Sequence, residues 1–251
     1  MLPLTIDLNS DVGESFGAWS IPNDERIIPL VSSANIACGF HAGDPRVMLS
    51  TCRLAVEAGA RVGAHIGYRD LAGFGRRSID YDPADLRAET IYQIGALRAA
   101  AQAVGTTVSY VKPHGALYNR MAHDSVQAQA VIEGILDLDP SLQLMALAGT
   151  PVVEQARQAG LSVIEEAFAD RAYHPDGTLV SRREPGAVHS DPETAAAQAV
   201  AIAEGSPLRA VDGTPVRIAA QSICVHGDNE AALAVVRLIH ERFAERGIEV
   251  G

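Results

Sequence analysis

Leu4-Thr5-Ile6-Asp7-Leu8-Asn9-Ser10-Asp11 begins as an apolar, β-branched run and ends in polar residues. Other predicted strands end similarly, with polar or charged groups beside glycine: Asn35 to His41, His65 to Tyr68, Lys112 to Gly115, Glu165-Glu166 and His226 to Asp228. An open sheet gathers such groups at one switch point, whereas a barrel collects them from strands around its whole rim. The sequence therefore predicts a parallel (β/α) barrel with its site at the carboxyl ends of the strands.

The rest of the chain alternates short apolar runs with longer segments of helical periodicity, which is typical of βα units. The predicted strands are 4–8, 30–37, 61–66, 107–112, 143–148, 161–166 and 217–225. The predicted helices are 45–58, 83–104, 125–136, 151–158, 191–203 and 229–246. Three of these helices are marked by an aspartate before a proline, a typical N-terminal signal. The segment 169–188 is predicted to be an irregular excursion or small hairpin near the site.

Length and composition limit the classes of function. One barrel accounts for all 251 residues, so a single domain over 1–251 is expected. The formal net charge of −11 argues against nucleic acid or an anionic membrane as the main partner. No apolar run approaches the roughly 18 residues of a membrane helix and no signal-peptide pattern occurs, so we expect a cytoplasmic protein. Three cysteines without metal-type spacing fit reduced thiols.

The first strand ends in a candidate acidic site. Asp7, Asn9 and Asp11 alternate with Leu8 and Ser10, so in an extended chain their side chains share one face. A turn in which these residues cap their own backbone is the alternative. An additional acidic residue at position 14 favours a functional site over a turn.

Four histidines follow predicted strands and lie beside or near glycine: His41, His65, His114 and His226. Histidine serves acid–base catalysis and metal binding near neutral pH, and glycine allows close approach of a substrate. Asp11, His41 and His114 also have donor types that suit zinc. Because no HxxxH or HExxH spacing occurs, no metal is predicted. The remaining histidines lack this setting and are assigned no function: His123, His174, His189 and His240.

Lys112 is the only lysine among the 20 basic residues. Either this reflects chance in a lysine-poor chain, or the position needs a compact or titratable amine that arginine cannot supply. Arg76 and Arg171 lie near predicted strand ends, where a guanidinium suits a substrate carboxylate or phosphate. The sequence contains no GxxxxGK[ST] or GxGxxG loop for binding a nucleotide.

Four long runs, at 7–14, 33–44, 63–68 and 111–119, resemble the LamB/YcsF family, and the resemblance continues in order through 166–173 and 224–228. It implies a seven-stranded β/α barrel similar to carbohydrate deacetylases. It also implies component A of an ATP-dependent 5-oxoprolinase, which opens 5-oxo-L-proline to L-glutamate while ATP becomes ADP and phosphate. Partner components B and C are implied as well. The absence of a phosphate-binding loop fits nucleotide binding by those partners, although the assignment of ATP to one subunit stays open.

For this reaction we assign hypothetical roles. Asp11 or a neighbouring histidine activates water, Lys112 and His114 stabilise the developing oxyanion or phosphate, and His226 protonates the departing ring nitrogen. The predicted catalytic set is Asp11, His41, Lys112, His114 and His226. The predicted substrate-binding set is Asn9, Asn35, His65, Tyr68, Arg76 and Arg171.

Other classes of function stay open. The barrel with its acidic and histidine residues also suits a metal-dependent carbohydrate deacetylase or amidase, which metal analysis and chelator sensitivity distinguish from an ATP-driven enzyme. A module that delivers substrate to a partner without catalysis is a second alternative. A carbohydrate-uptake regulator is a third, supported only by the name of the family.

Overall fold

The computed structural model describes residues 3–227 and 229–251, so Asp228 of the closing motif lies outside the described residues. Its strands are β1 (Leu4–Val12), β2 (Ser33–Ala37), β3 (Arg61–Ile66), β4 (Val108–Pro113), β5 (Gln143–Leu147), β6 (Ser162–Phe168), β7 (Leu208–Arg209), β8 (Pro215–Val216), β9 (Ser222–Cys224) and β10 (Ile248–Val250).

Seven of these strands form a closed parallel barrel, which confirms the predicted fold class. Strands β1 to β6 pair in sequence order, β6 pairs with β9, and β9 pairs with β1 to close the sheet. Strand β10 adds in parallel to the start of β1, and β7 and β8 form a separate antiparallel pair. Because all seven barrel strands are parallel, their carboxyl ends meet at one rim.

The helices are α1 (Asp24–Ile27), α2 (Pro45–Ala58), α3 (Pro83–Ala103), α4 (Gly115–Met121), α5 (Ser125–Leu138), α6 (Pro151–Gln158), α7 (Pro192–Ala203) and α8 (Glu230–Arg246). All six predicted helices are present. The caps Asp44, Asp82 and Asp191 each accept backbone N–H groups at the start of their helix, as their sequence context predicts. The two helices that were not predicted, α1 and α4, are four and seven residues long, too short to show a periodicity. Across the described residues, no helix has the length and apolarity that a bilayer span requires.

Part of the barrel interior below the rim is filled by a tight apolar layer, whereas Asp7, Ser33 and Ser222 make another part of it polar. The ring of Tyr110 packs with Met145 and Ile164, and all three side chains are buried. Gly63 on the neighbouring strand makes room for that ring, because a Cβ at this position would lie 2.1 Å from Tyr110 Cζ. Tyr110 also donates a 2.6 Å hydrogen bond to Asn35 Oδ1, where the apolar layer meets the polar layer above it.

The outer faces of the strands form the main core. Alternate residues of a strand face opposite sides, so Leu8, Ile36 and Val111 point away from the barrel axis. They join one buried apolar cluster with helix residues such as Ala55 and Ile94. The polar residues of the same strands are thereby directed into the barrel, which places them together at the carboxyl rim.

Between β6 and α7 the chain makes the predicted excursion. Two isolated antiparallel bridges, Arg171 with Val188 and Tyr173 with Leu179, give it the form of an irregular hairpin. The excursion covers part of the carboxyl rim.

Candidate active site

A cleft of ≈ 360 Å³ opens at the carboxyl rim of the barrel. The ends of β1, β3, β4 and β6 form its floor, and the loop after β1 and the excursion after β6 form walls. The predicted site residues that line the cleft are Asp11, His65, Arg76, Lys112, His114, Arg171 and His226.

Lys112 lies in the floor with its side chain only 2 % exposed. Its Nζ lies 3.0 Å from Asp11 Oδ1, 2.7 Å from Glu166 Oε1, 3.0 Å from Asn9 Oδ1 and 3.3 Å from Cys224 Sγ. Burial acts to lower the pKa of Lys112, but the neighbouring acidic groups raise it well above its ordinary value. The side chain is therefore an ammonium ion at neutral pH. A guanidinium needs more space than this enclosed site offers, which is a physical reason for a lysine here.

Asp11 connects Lys112 to the histidines. Its Oδ1 accepts hydrogen bonds from Lys112 and from Asn35 Nδ2 at 2.8 Å, and its Oδ2 lies 3.3 Å from His65 Nε2. Burial acts to raise the pKa of Asp11, but the charges of His65 and Lys112 outweigh it and hold the pKa well below its ordinary value. Asp11 is therefore a carboxylate at neutral pH.

Three histidines pack together beside Asp11. His114 Nδ1 lies 2.9 Å from His65 Nε2, and the ring of His41 stacks on that of His114 with centroids 3.8 Å apart. Burial, reinforced by the adjacent histidines, lowers the pKa of both His41 and His114 well below the ordinary value. These two rings are therefore neutral at pH 7.

Glu14 completes this group. Its Oε1 lies 3.2 Å from His41 Nε2 and 3.5 Å from His114 Nδ1. Burial raises the pKa of Glu14, and the negative charge of Asp11 adds to the effect, although His114 and His65 oppose it. The carboxyl group is 13 % exposed and faces the cleft.

A second histidine site lies on the opposite wall. His226 Nδ1 is 2.8 Å from Asp170 Oδ2, and Arg182 Nη2 is 3.3 Å from His226 Nε2. Burial acts to lower the pKa of His226, but Asp170 outweighs it and raises the pKa above the ordinary value. Protonation of this ring is therefore easier than that of His41 or His114.

Four predicted site residues do not line the cleft. Asn9 and Asn35 are buried beneath it and hydrogen bond to each other, and His41 lies behind His114 with 1 % exposure. Tyr68 is buried away from the barrel interior, where its hydroxyl donates to Gln127 of α5 and its ring stacks on Tyr81. Strand β3 ends at Ile66, so the chain has already turned outward at Tyr68. The predicted contacts of Asn9, Asn35 and Tyr68 with substrate do not fit these positions.

The two predicted arginines differ in environment. Arg76 lies at the exposed mouth, with its guanidinium 5.0 Å from the centroid of the Phe74 ring. Arg171 is 5 % exposed and donates to the backbone carbonyls of Ala187 and Val180, so it also holds the excursion in shape. Arg76 is the better placed of the two to meet an anionic substrate.

Sequence reasoning missed some residues that line the cleft or contact its lining. Glu166 and Asp170 occur in the motif runs but were given no role. Asp24, in the wall after β1, carried no signal at all, because the helix that it begins is only four residues long. Its pKa is raised to about 6 by burial and by the charge of Glu14, although an N–H bond from Gly13 opposes this.

Comparison with known proteins identifies relatives that match almost the whole chain. The LamB/YcsF family matches residues 6–251. The A subunit of 5-oxoprolinase from Corynebacterium efficiens is 60 % identical over 248 residues, covering 99 % of this chain and 97 % of the relative. Its counterpart from Corynebacterium glutamicum is 61 % identical over 246 residues, covering 98 % of each. The crystal structure of a lactam utilization protein from Thermus thermophilus superposes with a TM-score of 0.93 at 44 % identity, covering 98 % of each chain. The chain therefore belongs to the LamB/YcsF family.

Proposed function

We propose that this chain is component A of an ATP-dependent 5-oxoprolinase, which converts 5-oxo-L-proline to L-glutamate while ATP is hydrolysed to ADP and phosphate. The observation that carries the proposal is 60 % identity, over 99 % of the chain, to a relative named as the A subunit of 5-oxoprolinase. A lettered subunit name supports a complex with further subunits, which we take to be components B and C.

The chemistry of the substrate explains the need for ATP. A five-membered lactam is a resonance-stabilised amide, and phosphorylation of its carbonyl oxygen makes the carbon a better electrophile. We assign ATP binding and this activation to the complex with components B and C, because the sequence has no phosphate-binding loop. This chain then completes the hydrolysis.

Within the cleft, Asp11 is the group that accepts a proton from the attacking water. It is ionised at neutral pH, it lines the cleft, and Lys112 and Asn35 fix its orientation from below. The role of oxyanion stabiliser does not suit Lys112, because four neighbouring acceptors already engage its ammonium group. We therefore assign Lys112 to positioning Asp11 and keeping it ionised.

The opposite wall supplies the general acid. Asp170 holds the His226 ring and favours its protonated form, so His226 is suited to donate a proton to the ring nitrogen as the C–N bond breaks. His114 is a neutral ring that faces the cleft. We place it beside the oxyanion that develops during the reaction. Arg76 and Arg182 line the mouth, where a guanidinium suits the carboxylate or phosphate of the substrate.

The proposal is tested by measuring glutamate formed from 5-oxo-L-proline and ATP by the chain alone and by the chain mixed with components B and C. We expect glutamate and ADP in equal amounts, and only in the mixture. No glutamate in either case, together with deacetylation of an N-acetylated sugar without ATP, would overturn the proposal in favour of the deacetylase alternative.

A further inference from the structure

A group of side chains at and directly behind the floor of the cleft converges on one point. This group, the histidine cluster, consists of Glu14, His41, His65 and His114. One potential ligand atom from each residue lies within 4.8 Å of every other. The reaction proposed above uses only part of this group and gives no reason for the convergence.

The hydrogen bonds on the outer side of two rings determine their tautomers. His65 Nδ1 lies 3.0 Å from the carbonyl oxygen of Lys112, and His114 Nε2 lies 2.8 Å from that of Phe74. A carbonyl oxygen only accepts hydrogen bonds, so each of these nitrogens carries the hydrogen. In the neutral rings the remaining nitrogens, His65 Nε2 and His114 Nδ1, therefore both carry lone pairs.

These two lone-pair nitrogens face each other at 2.9 Å. Two lone pairs at that distance repel, and the arrangement is stable only with a positive centre between or beside them. That centre is either a proton added to one ring or a metal cation bound by both. Outer hydrogen bonds from imidazole N–H groups to backbone carbonyls are the usual support of histidine ligands to a metal.

The spacing of the ligand atoms matches one metal ion. Four ligands about 2.1 Å from a tetrahedral zinc ion lie about 3.4 Å from one another. The observed separations are 2.9 Å between the two facing nitrogens, and 3.5 Å and 3.9 Å from Glu14 Oε1 to His114 Nδ1 and His65 Nε2. These values scatter around the expected separation.

A second group in the cleft, Asp11 with Cys224 and His226, also has metal-binding atoms near one another. The ammonium of Lys112 lies 3.0 Å from Asp11 Oδ1 and 3.3 Å from Cys224 Sγ, so a positive charge is already present there. His226 is engaged by Asp170. The histidine cluster is therefore the better site for a cation.

We propose that the histidine cluster binds one divalent transition-metal ion through His65, His114 and Glu14, and two imidazoles with one carboxylate are a ligand set that suits zinc. The ring of His41 stacks parallel to that of His114, so His41 packs against the site and is not a ligand to the same ion. Such an ion supplies Lewis acidity at the floor of the cleft, next to Asp11. The proposal does not depend on which reaction the cleft performs.

The test measures metal uptake by the full-length, tag-free chain after removal of metals with a chelator. Isothermal titration with Zn²⁺ and elemental analysis after dialysis are expected to give one zinc per chain. Cobalt in place of zinc is expected to give the visible absorption of a four- or five-coordinate site. If a shared proton occupies the pair of rings instead, the chain takes up no stoichiometric zinc or cobalt at neutral pH, and the proposal fails.

Variants locate the site. His114→Gln is expected to weaken zinc binding by about 100-fold or more, since even supporting residues of metal sites contribute 10- to 100-fold. Glu14→Gln keeps the volume and removes only the charge, so it is expected to weaken binding by at least about 10-fold without unfolding the chain. The control is His123→Gln, because His123 lies outside the cluster. Equal zinc affinity in wild type and in both cluster variants would overturn the assignment.

Discussion

Lys112 supplies the positive charge between the carboxyl groups of Asp11 and Glu166. Replacing it by methionine keeps the apolar stem but removes the cation from beside Asp11 and Glu166. Breaking a buried ion pair in this way costs about 3–5 kcal/mol of stability. Asp11 also loses the hydrogen bond from Lys112 that fixes its orientation, so the carboxylate is no longer held where it accepts a proton from water.

We therefore expect Lys112→Met to lower glutamate formation by the assembled complex about 10²-fold or more. Steady-state turnover, measured together with a thermal melt, separates this effect from simple unfolding. Glu166→Gln is the matched variant: it removes one buried carboxylate but leaves Lys112 and Asp11 in contact, so its effect on turnover is expected to be smaller. Near-normal turnover of Lys112→Met in a folded complex would rule out the assigned role.

The pair formed by His226 and Asp170 predicts a pH dependence. Asp170 raises the pKa of His226, so the ring is protonated below that raised pKa and loses its proton as the pH rises through it. If His226 is the general acid, kcat/KM of the complex falls on the alkaline side of this pKa. Asp170→Asn removes the stabilising charge, so the fall is expected to begin at lower pH.

The measurement is the pH profile of kcat/KM for wild type and Asp170→Asn. Asp176→Asn is the control, because Asp176 lies in the same excursion but is exposed and hydrogen bonds to Thr178, away from His226. An alkaline limb at the same pH in all three proteins would show that His226 is not the acid.

At the scale of the elements, the barrel depends on close packing between β3 and β4. A methyl group at position 63 would overlap the ring of Tyr110, which is fixed by its bond to Asn35. We expect Gly63→Ala to reduce the free energy of unfolding by about 1–3 kcal/mol, the usual cost of overpacking.

Gly95 provides a matched comparison within α3, since a Cβ there meets nothing within 4 Å. Gly95→Ala is expected to raise the free energy of unfolding by about 0.5–1 kcal/mol through helix propensity. Urea denaturation of both variants measures the two effects. Equal stability of Gly63→Ala and wild type would mean that the barrel interior is looser than the structure indicates.

The elements differ in how far the sequence predicts them. The seven barrel strands are predictable because their apolar, β-branched runs are short and bounded by helical segments. Strand β1 runs to Val12, four residues beyond its prediction, because Asn9 to Val12 pair with β2 although they are partly polar. A polar strand end inside a barrel looks like a loop when only hydrophobicity is considered.

The residues of the site are also only partly predictable from the sequence. Histidines beside glycine at strand ends are predictable, because that pattern carries chemistry in the sequence itself. Proximity to His65 suggests a site role for Tyr68, yet two residues beyond the end of a strand the direction of a side chain is set by the following loop. Asp24 is not predictable, since its burial depends on how a loop folds over the rim rather than on any local pattern.

At the scale of the whole molecule, the barrel separates an acidic exterior from a cleft of mixed charge. The chain has a formal net charge of −11, but the cleft lining includes Lys112 and three arginines: Arg76, Arg171 and Arg182. These cations favour an anionic substrate in a molecule that otherwise repels anions. Under the proposed function, in which partner components activate the lactam, the partner surface is therefore expected to lie near this rim.

Replacement of Asp11 distinguishes a catalytic component from one that only delivers substrate. The Asp11 side chain is 21 % exposed and lies in the cleft floor, so Asp11→Asn leaves the outer surface of the barrel unchanged. We expect the variant to assemble normally with components B and C but to form glutamate about 10²- to 10⁴-fold more slowly, the usual contribution of a general base. Co-elution of the components and glutamate release are measured on the same preparation, with Asp212→Asn, an exposed turn residue, as the control. An intact Asp11→Asn complex with normal glutamate release would place the chemistry in the partners and leave this chain as a delivery module.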